Sequence, residues 1–214
     1  MNESEFKRQL KYSICVSGAA AGQTVVNAAK DAEALGIAIA KAGQTITTGA
    51  TIGLPYYAAS AAKASGGTSI GFSPAASLRE HLRKYRLPYD CYDFINFTGL
   101  HYVGRDLYLV QSSDAVITVG GRFGSLHEFT SALEAGKISG VLTGSGGAAD
   151  VIKKLMEVLE PPQDELVIYD DDPVRLVHRV IKLLDHKYAD IHEQLAKYNE
   201  YWFLKHRNPG SRPG

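Results

Sequence analysis

A glycine-rich stretch followed by a carboxylate, VGGRFGSLHEF at positions 119–129, has the residue types of an anion-binding loop beside a reactive acid. Glycines let a backbone approach a ligand closely and turn its N–H groups towards it. A helix that begins at the end of such a loop adds partial positive charge, which suits phosphate. The candidate loop residues are Gly120, Gly121, Gly124 and Ser125, and the candidate acid is Glu128.

The same residues have a second interpretation without chemistry, because Ser125 and Glu128 match the S-x-x-E pattern of a capping box. In that arrangement the Ser125 hydroxyl accepts a hydrogen bond from the Glu128 N–H, and the Glu128 carboxylate reaches back to the Ser125 N–H. A cap of this kind stabilises a helix by about 1 kcal/mol. The pattern alone does not favour catalysis over capping, and both hypotheses stay open here.

Three further glycine-containing segments follow predicted strands: SGAAAG at 17–22, TGATIGLP at 48–55 and TGSGG at 143–147. In open α/β sheets, ligands bind beyond the carboxyl ends of the strands, which is where all four segments would lie. Together they predict a phosphate-bearing, nucleotide-like ligand. The GxGxxG of dinucleotide-binding enzymes and the GxxxxGK[ST] of P-loop NTPases are both missing from the sequence. Further candidate binding residues are Ser17, Gly18, Gly49, Gly53, Thr143, Gly144 and Gly146.

Short apolar runs alternate with segments of helical period, which predicts the elements that would position these loops. The runs are nearly continuous in apolar residues, as in strands that crossover helices bury on both faces of a parallel sheet. We therefore expect an α/β protein with an open, doubly wound, mostly parallel Rossmann-like sheet of about seven strands and helices on both faces. The predicted strands are 12–18, 44–50, 67–73, 91–97, 114–120, 138–144 and 165–170, and the helices are 24–43, 54–67, 74–88, 101–113, 125–137, 148–159 and 172–185.

The chain is expected to form one nucleotide-binding domain over residues 1–185 and a helical, aromatic tail over 186–214. The tail carries Tyr198, Tyr201, Trp202 and Phe203, and its last residues, RNPGSRPG, are typical of a disordered end. The aromatic side chains would pack on the domain or across a dimer. A homodimer or a higher homo-oligomer is the expected assembly.

The composition of the chain indicates which kinds of partner it binds and where in the cell it is found. Lys plus Arg number 23 and Asp plus Glu number 23, so the basic excess of a non-specific nucleic-acid binder is missing. The segment MNESEFKRQLKYS lacks the apolar core of a signal peptide, and no run reaches the roughly 18 apolar residues of a membrane span. Two cysteines are too few for a disulfide framework or a cysteine-based zinc site. We predict a cytoplasmic protein that binds neither nucleic acid nor membrane.

Residues 98–150 resemble the core of the LOG-like family of Rossmann proteins, once labelled lysine decarboxylase-like. The family pattern is an Arg on a helix, an Asp that opens a strand, and then PGGxGTxxE. Here Arg105 precedes Asp114 by nine positions, and the strand continues into the glycines and Glu128. GVLTGSGGAAD is similar to a G-T-G-G-x-x-D stretch of the subgroup that contains the molybdenum cofactor carrier proteins, and the whole resemblance covers roughly residues 12 to 185.

The resemblance implies a nucleoside 5′-monophosphate phosphoribohydrolase, which cleaves the base–ribose bond to give free base and ribose 5-phosphate. Glu128 would stabilise the positive charge that develops on the sugar or activate water, and Arg105 would orient the ribose or phosphate and keep Glu128 ionised. The glycine loop would hold the 5′-phosphate. The alternative is a non-catalytic carrier or sensor of a nucleotide or of molybdopterin cofactor. The chemistry implies no bound metal and no cofactor.

Three departures from the family pattern concern the same loop. Val119 stands where the phosphoribohydrolases have Pro, and Ser125 replaces Thr but keeps the hydroxyl. The loop GGRFGS is one residue longer than GGxGT, as in the carrier-like subgroup. Arg122 occupies this insertion and would either add a cation to the phosphate site or point into solvent.

Overall fold

A computed structural model describes residues 11–193 of the chain. Seven strands form one sheet, as the alternation of apolar runs predicts. Each strand is shorter than its predicted range, because pairing in the sheet extends over only part of each apolar run. The strands are β1 (Ser13–Gly18), β2 (Thr45–Thr48), β3 (Thr68–Ser73), β4 (Phe94–Phe97), β5 (Ala115–Val119), β6 (Ile138–Leu142) and β7 (Val167–Asp170).

Each predicted helix is present, although two differ from the expected bounds in ways that matter. The helix expected at 74–88 is confined to six residues, and the helix expected from Ser125 begins two residues earlier, at Phe123. A short 3-10 helix, Asp164–Leu166, precedes β7. The α-helices are α1 (Gln23–Lys41), α2 (Leu54–Ala64), α3 (Leu78–Arg83), α4 (His101–Gln111), α5 (Phe123–Glu134), α6 (Ala148–Leu159) and α7 (Pro173–Lys187).

The strands are ordered β4-β3-β2-β1-β5-β6-β7, and all six neighbouring pairs are parallel. The chain moves outward from β1 to β4, returns to the middle, and then moves outward to the other edge. The strand order therefore reverses between β1 and β5, whose last residues, Gly18 and Val119, are paired in register. A crevice opens at such a switch point, and it is the usual ligand position in doubly wound sheets. The predicted fold class is confirmed.

The core lies between the sheet and the helices on its two faces. Large, fully buried side chains such as Ile14, Ile117 and Leu35 fill one layer, and Phe129 with Ile152 fills part of the other. Helices α1 and α2 approach closely where Gly36 lies directly against the Ala58 carbonyl, so even a methyl group there would overlap the neighbouring backbone. This packing holds the amino ends of the helices, and therefore the strand-to-helix loops, in fixed positions.

The helical structure continues past residue 185, where the first domain was expected to end. Helix α7 continues to Lys187, and residues 189–193 are again helical. The Tyr12 hydroxyl bonds both to Asp185 Oδ1 at 2.8 Å and to His192 Nε2 at 2.7 Å, so the start of the expected tail packs on the domain. The aromatic segment with Tyr198, Tyr201, Trp202 and Phe203 lies outside the described residues, and the two-part division stays a prediction.

No helix between residues 11 and 193 combines the length and the apolarity that a bilayer crossing requires. The run Asp170, Asp171 and Asp172 ends β7 and begins α7. Asp172 caps α7 by accepting a hydrogen bond of 2.7 Å from the Arg175 N–H.

Candidate functional site

A cavity of about 280 Å³ opens at the switch point of the sheet, between the carboxyl ends of β1 and β5. Its volume is close to the lower end of the range for ligand pockets, roughly 300–1,000 Å³. Half of the fourteen predicted site residues line it: Gly18, Gly49, Arg105, Arg122, Gly124, Ser125 and Glu128. The wall is completed by Val16, Ala19, Ala20, Ala21, Thr51, Pro55, Tyr102 and Asp106.

Helix α5 begins at this cavity without a capping side chain. Its N-cap residue is Arg122, which makes no side-chain hydrogen bond to the first turn, and Ser125 lies within the helix. The N–H groups of Phe123, Gly124 and Ser125 precede the first intrahelical donor and have no partner among residues 11–193. The capping-box hypothesis is therefore wrong, because the helix starts before Ser125. Free N–H groups at a helix start are suited to an anion.

The Arg122 side chain extends along the cavity from the start of α5 to the start of α1. Its guanidinium packs directly against Gly22, the residue at which α1 begins, and a side chain at that position would overlap it. Helix α1 also begins without a side-chain cap. The amino ends of two helices and one arginine thus converge on a single space, so that partial and full positive charges add there.

Glu128 projects from α5 into the inner end of the cavity and is 7% exposed. Its carboxylate accepts a hydrogen bond from the Ser17 hydroxyl at the end of β1. Burial raises the pKa of the Glu128 carboxyl from the usual 4.5 to about 7; Arg105 opposes the rise, and Asp106 adds to it. A carboxyl with this pKa can both accept and release a proton near neutral pH.

Arg105 on α4 is 4% exposed and holds the other side of the inner cavity. Its Nη1 atom donates to the carbonyl of Gly49, and to that of Phe72 at 3.1 Å. Nε lies 3.0 Å from Asp106 Oδ1 without forming an aligned hydrogen bond, and the hydrogen bonds of the guanidinium to residues 11–193 all come from Nη1, none from Nη2. Two carbonyls therefore fix the guanidinium, while one terminal nitrogen stays free for a ligand.

Gly49 has a different neighbour from the one that the glycine pattern suggests. The Arg105 guanidinium lies directly on it, so a side chain at this position would displace the arginine. The glycine after β2 admits a protein side chain to the cavity wall, in addition to any contact with a ligand.

Seven predicted residues do not line the cavity but surround it or lie nearby. Ser17 bonds to Glu128, as described, and Gly53 begins α2 close to the Ala20 carbonyl. Gly120 and Gly121 accept hydrogen bonds from the first N–H groups of α6. In the loop after β6, the Gly144 N–H bonds to Asp150, and Thr143 and Gly146 also stay outside the cavity.

Ser145 and Asp106 are residues with evident roles that sequence reasoning missed. The Ser145 hydroxyl accepts from the Gly120 N–H at 2.8 Å and donates to the Leu142 carbonyl at 2.5 Å, which ties the loop after β6 to the loop after β5. Asp106 brings a second buried carboxylate to the cavity, 6% exposed. It lies three and four positions before the buried Leu109 and Val110, on the same face of α4, and that spacing was the available signal.

Beneath the cavity, the Cys15 thiol of β1 is fully buried near Glu128 and Arg105. Burial raises the pKa of this thiol well above its ordinary value, and the negative charge of Glu128 adds to the rise. The thiol therefore stays protonated and unreactive in the folded protein.

Comparisons with known proteins agree with this architecture. An uncharacterised protein of Archaeoglobus fulgidus is 31% identical over 130 residues, which cover 61% of this chain and 77% of that protein. The structure of TM1055 superposes with a TM-score of 0.70 at 21% identity, covering 81% of this chain and 99% of the other. The molybdenum cofactor binding protein of Rippkaea orientalis superposes with a TM-score of 0.67 at 28% identity, covering 82% and 98%.

A family model matches residues 11–177, which include every strand, the helices α1 to α6 and the first five residues of α7. The match spans the cavity, its glycine loops and the charged residues Arg105, Asp106 and Glu128. Together with a LOG-like sheet whose switch point carries this cavity, it identifies the chain as a member of the SLOG cluster4 family.

Proposed function

We propose that the protein is a nucleoside 5′-monophosphate phosphoribohydrolase that hydrolyses the base–ribose bond. The observation that carries this proposal is the position of Glu128, which faces the cavity beside Arg105 and is not engaged as a helix cap. A purely structural glutamate would not be expected to be buried next to a space that a ligand can enter, because burial of a carboxylate is costly.

The 5′-phosphate would bind at the outer end of the cavity. There the N–H groups of Gly124 and Ser125 and the Arg122 guanidinium provide hydrogen bonds and positive charge. This placement directs the ribose towards the inner end, where the free Nη2 of Arg105 can bond to a sugar oxygen. The base would extend towards Tyr102 and the cavity mouth.

At the inner end, the ionised form of Glu128 would act on the anomeric carbon. As the C1′–N bond breaks, its electron pair moves to the base nitrogen and positive charge develops on the sugar. Glu128 takes a proton from the attacking water, whose oxygen forms the new bond to C1′. The products are ribose 5-phosphate and the base, which gains a proton from solvent. Because Glu128 must be ionised, activity should rise with pH up to about 7.

The test is base release from a panel of nucleoside monophosphates by the wild type, by Glu128→Gln and by Glu134→Gln. Glu134 lies exposed at the end of the same helix and is a matched control. We expect wild-type release, a loss of at least roughly 100-fold in Glu128→Gln, and no change in Glu134→Gln. Equal rates in wild type and Glu128→Gln would remove Glu128 from the mechanism, and a retained melting temperature would show that the variant is folded.

The second candidate is a carrier of a phosphate-bearing cofactor, which the 28% identity to a molybdenum cofactor binding protein favours. The anion end of the cavity would hold the cofactor's phosphate, and Glu128 would have no chemical role. If no monophosphate loses its base while a pterin phosphate or a nucleotide binds tightly, the carrier proposal replaces the enzyme. Isothermal titration calorimetry with the same panel gives this answer in parallel.

We also propose that the protein is a cytoplasmic homodimer that binds small molecules and no nucleic acid. Helix α4 exposes Val103, Leu107 and Tyr108, which are 69%, 48% and 53% accessible, on the face away from the sheet. Exposed apolar surface of this kind is typical of contacts between chains. Sedimentation velocity at several concentrations measures the assembly, and a sole monomer at all of them would contradict it.

A further inference from the structure

Asp106 is a buried carboxylate that the proposed reaction does not use. It lies on α4 next to Arg105, with its side chain 8% exposed. Oδ2 lies 3.2 Å from Nδ1 of His127, and the carboxyl lines the same cavity as the Glu128 carboxyl, whose pKa it helps to raise. Asp106 therefore stands between two residues that are adjacent in sequence but point to different sides of α5.

The three side chains form a continuous path from the cavity to the surface. Glu128 lines the cavity, Asp106 is enclosed between α4 and α5, and the His127 side chain is 36% exposed. Asp106 and His127 are close enough for a direct hydrogen bond, and Asp106 and Glu128 line the same cavity. Imidazole readily accepts and releases protons near neutral pH, so the outermost member suits exchange with solvent.

An ion pair with Arg105 does not by itself explain why the Asp106 carboxylate is buried here. The Nε atom of Arg105 is close to Asp106 but forms no aligned hydrogen bond with it, although a purely structural ion pair gains most from such alignment. The second oxygen of Asp106 is turned to His127 instead. Two adjacent buried carboxyls avoid repulsion when they share a proton, which also allows that proton to move between them.

The other ionisable groups around the pair hold a constant charge near neutral pH. From β1, the Cys15 thiol stays protonated because burial raises its pKa, and burial has the same effect on the Tyr92 hydroxyl near Arg105. Arg105 and Arg122 remain cationic. Of the described groups with a shifted pKa at this cavity, Glu128 is the one whose pKa lies near neutral pH.

We propose that Asp106 is a positioning residue that, together with His127, conducts the proton taken up by Glu128 from the cavity to solvent. The inference rests on the proposed hydrolysis. Glu128 gains one proton from water in each turnover, that proton passes through Asp106 and His127 to a buffer base, and the departing base takes one proton from solvent. The reaction thus has no net change in protons, and Glu128 is ionised again for the next substrate.

The proton path is tested in base release with His127→Ala and with the matched control His178→Ala, an exposed histidine of α7. We expect the rate to fall about 10- to 100-fold in His127→Ala, and imidazole in the buffer to restore much of it. His178→Ala should match the wild type with and without imidazole. A full rate in His127→Ala, or a loss that imidazole does not restore, would overturn the path.

A second measurement needs no turnover. Infrared titration of the carboxyl bands, with Glu128→Gln subtracted to isolate Glu128, should show a midpoint near 7 in the wild type. In Asp106→Asn the midpoint should fall by at least about one pH unit, because a negative charge is removed, and Asp190→Asn, an exposed control, should leave it unchanged. An unchanged midpoint in Asp106→Asn would overturn the role of Asp106. If Asp106→Asn shifts the midpoint of Glu128 but the wild type releases no base, the proposed hydrolysis is refuted. The electrostatic pairing of Asp106 with Glu128 would still hold.

Discussion

Two clusters of arginine and carboxylate lie at the carboxyl edge of the same sheet, and they leave their acids in opposite states. At β7, Asp170 accepts hydrogen bonds from Arg175 Nε at 2.9 Å and from Arg179 Nη1 at 2.8 Å, and the Arg175 guanidinium holds its pKa well below the usual range. At the cavity, burial raises the pKa of Glu128 to about 7, although Arg105 is near.

The difference arises from where the arginine donors are directed. Arg175 and Arg179 point their donors at Asp170, and the acid is fully satisfied. Arg105 gives Nη1 to backbone carbonyls and leaves Nη2 free, while Glu128 faces a second carboxyl. The β7 cluster stabilises the fold, whereas the cavity cluster maintains an unsatisfied acid, a pattern that is typical of functional sites.

We expect the largest difference between the two clusters in the free energy of unfolding when an arginine is removed from each. In Arg105→Ala, two buried carboxyls and two carbonyls lose their cation, so the free energy of unfolding should fall by about 3–5 kcal/mol at pH 8. The loss should be smaller at pH 5, where the Glu128 carboxyl is protonated because its pKa is raised to about 7. In Arg179→Ala the fall should stay below about 1 kcal/mol, because the side chain is half-exposed and Arg175 remains. Urea unfolding measures both, and equal losses would contradict the contrast.

The next effect concerns the pH dependence of stability, which should have opposite signs in the two clusters. Glu128 has a raised pKa, so the folded state holds an extra proton between pH 4.5 and about 7, and the stability this gives is lost as pH rises through 7. Glu128→Gln lacks that dependence. Its melting temperature relative to wild type should therefore increase from pH 5 to pH 8, as fluorimetric melting can show.

Removing Asp170 should change the pH dependence of stability in the opposite direction. The pKa of Asp170 is lowered in the folded state, so its ionised carboxylate stabilises the fold above the ordinary pKa of aspartate. That stabilisation is lost as pH falls from this ordinary pKa through the lower pKa of the folded state. Asp170→Asn should lower stability by about 2 kcal/mol between pH 5 and pH 8, and the deficit should shrink below about pH 4. Parallel curves for the two variants would remove the distinction between the clusters.

The smallest effect is expected at the anion end of the cavity. Arg122→Ala should weaken the binding of a nucleoside monophosphate about 3- to 10-fold and leave stability unchanged, since the side chain is exposed. The weakening should diminish at high salt. Arg79→Ala, an exposed arginine of α3, is the control for net charge, and calorimetry at two salt concentrations is the measurement. Unchanged affinity would place Arg122 outside the phosphate site.

The fold was predictable because the spacing of apolar residues in the sequence matches the pattern of burial in the strands and helices. Runs such as those containing Ile14 and Ile117 are apolar throughout, and only a sheet covered on both faces buries such runs. The start of α5 was not predictable in the same way. Its first turn contains a glycine and has no capping side chain, so the only cap-like signal lay at Ser125, inside the helix.

The cavity's inner end was predictable in part. The family pattern led to Arg105 and Glu128, and both line the cavity. Asp106 was missed because neighbours in a helix project about 100° apart, so adjacency to Arg105 did not suggest a shared site. The loop after β6 was expected near phosphate, yet it contributes through Ser145, which bonds the Gly120 N–H. Which loop reaches a ligand depends on loop-to-loop bonds, and these have no periodic signature.

Cys15 gives the buried centre of the molecule a built-in reporter. Its thiol lies in the central strand, closed off from solvent and held in its protonated form beneath the charged end of the cavity. A small alkylating reagent can reach it only when β1 and its neighbours separate, so the labelling rate measures how often the middle of the sheet opens. A bound ligand lowers that rate in proportion to its affinity, which allows candidate ligands to be ranked before any reaction is known.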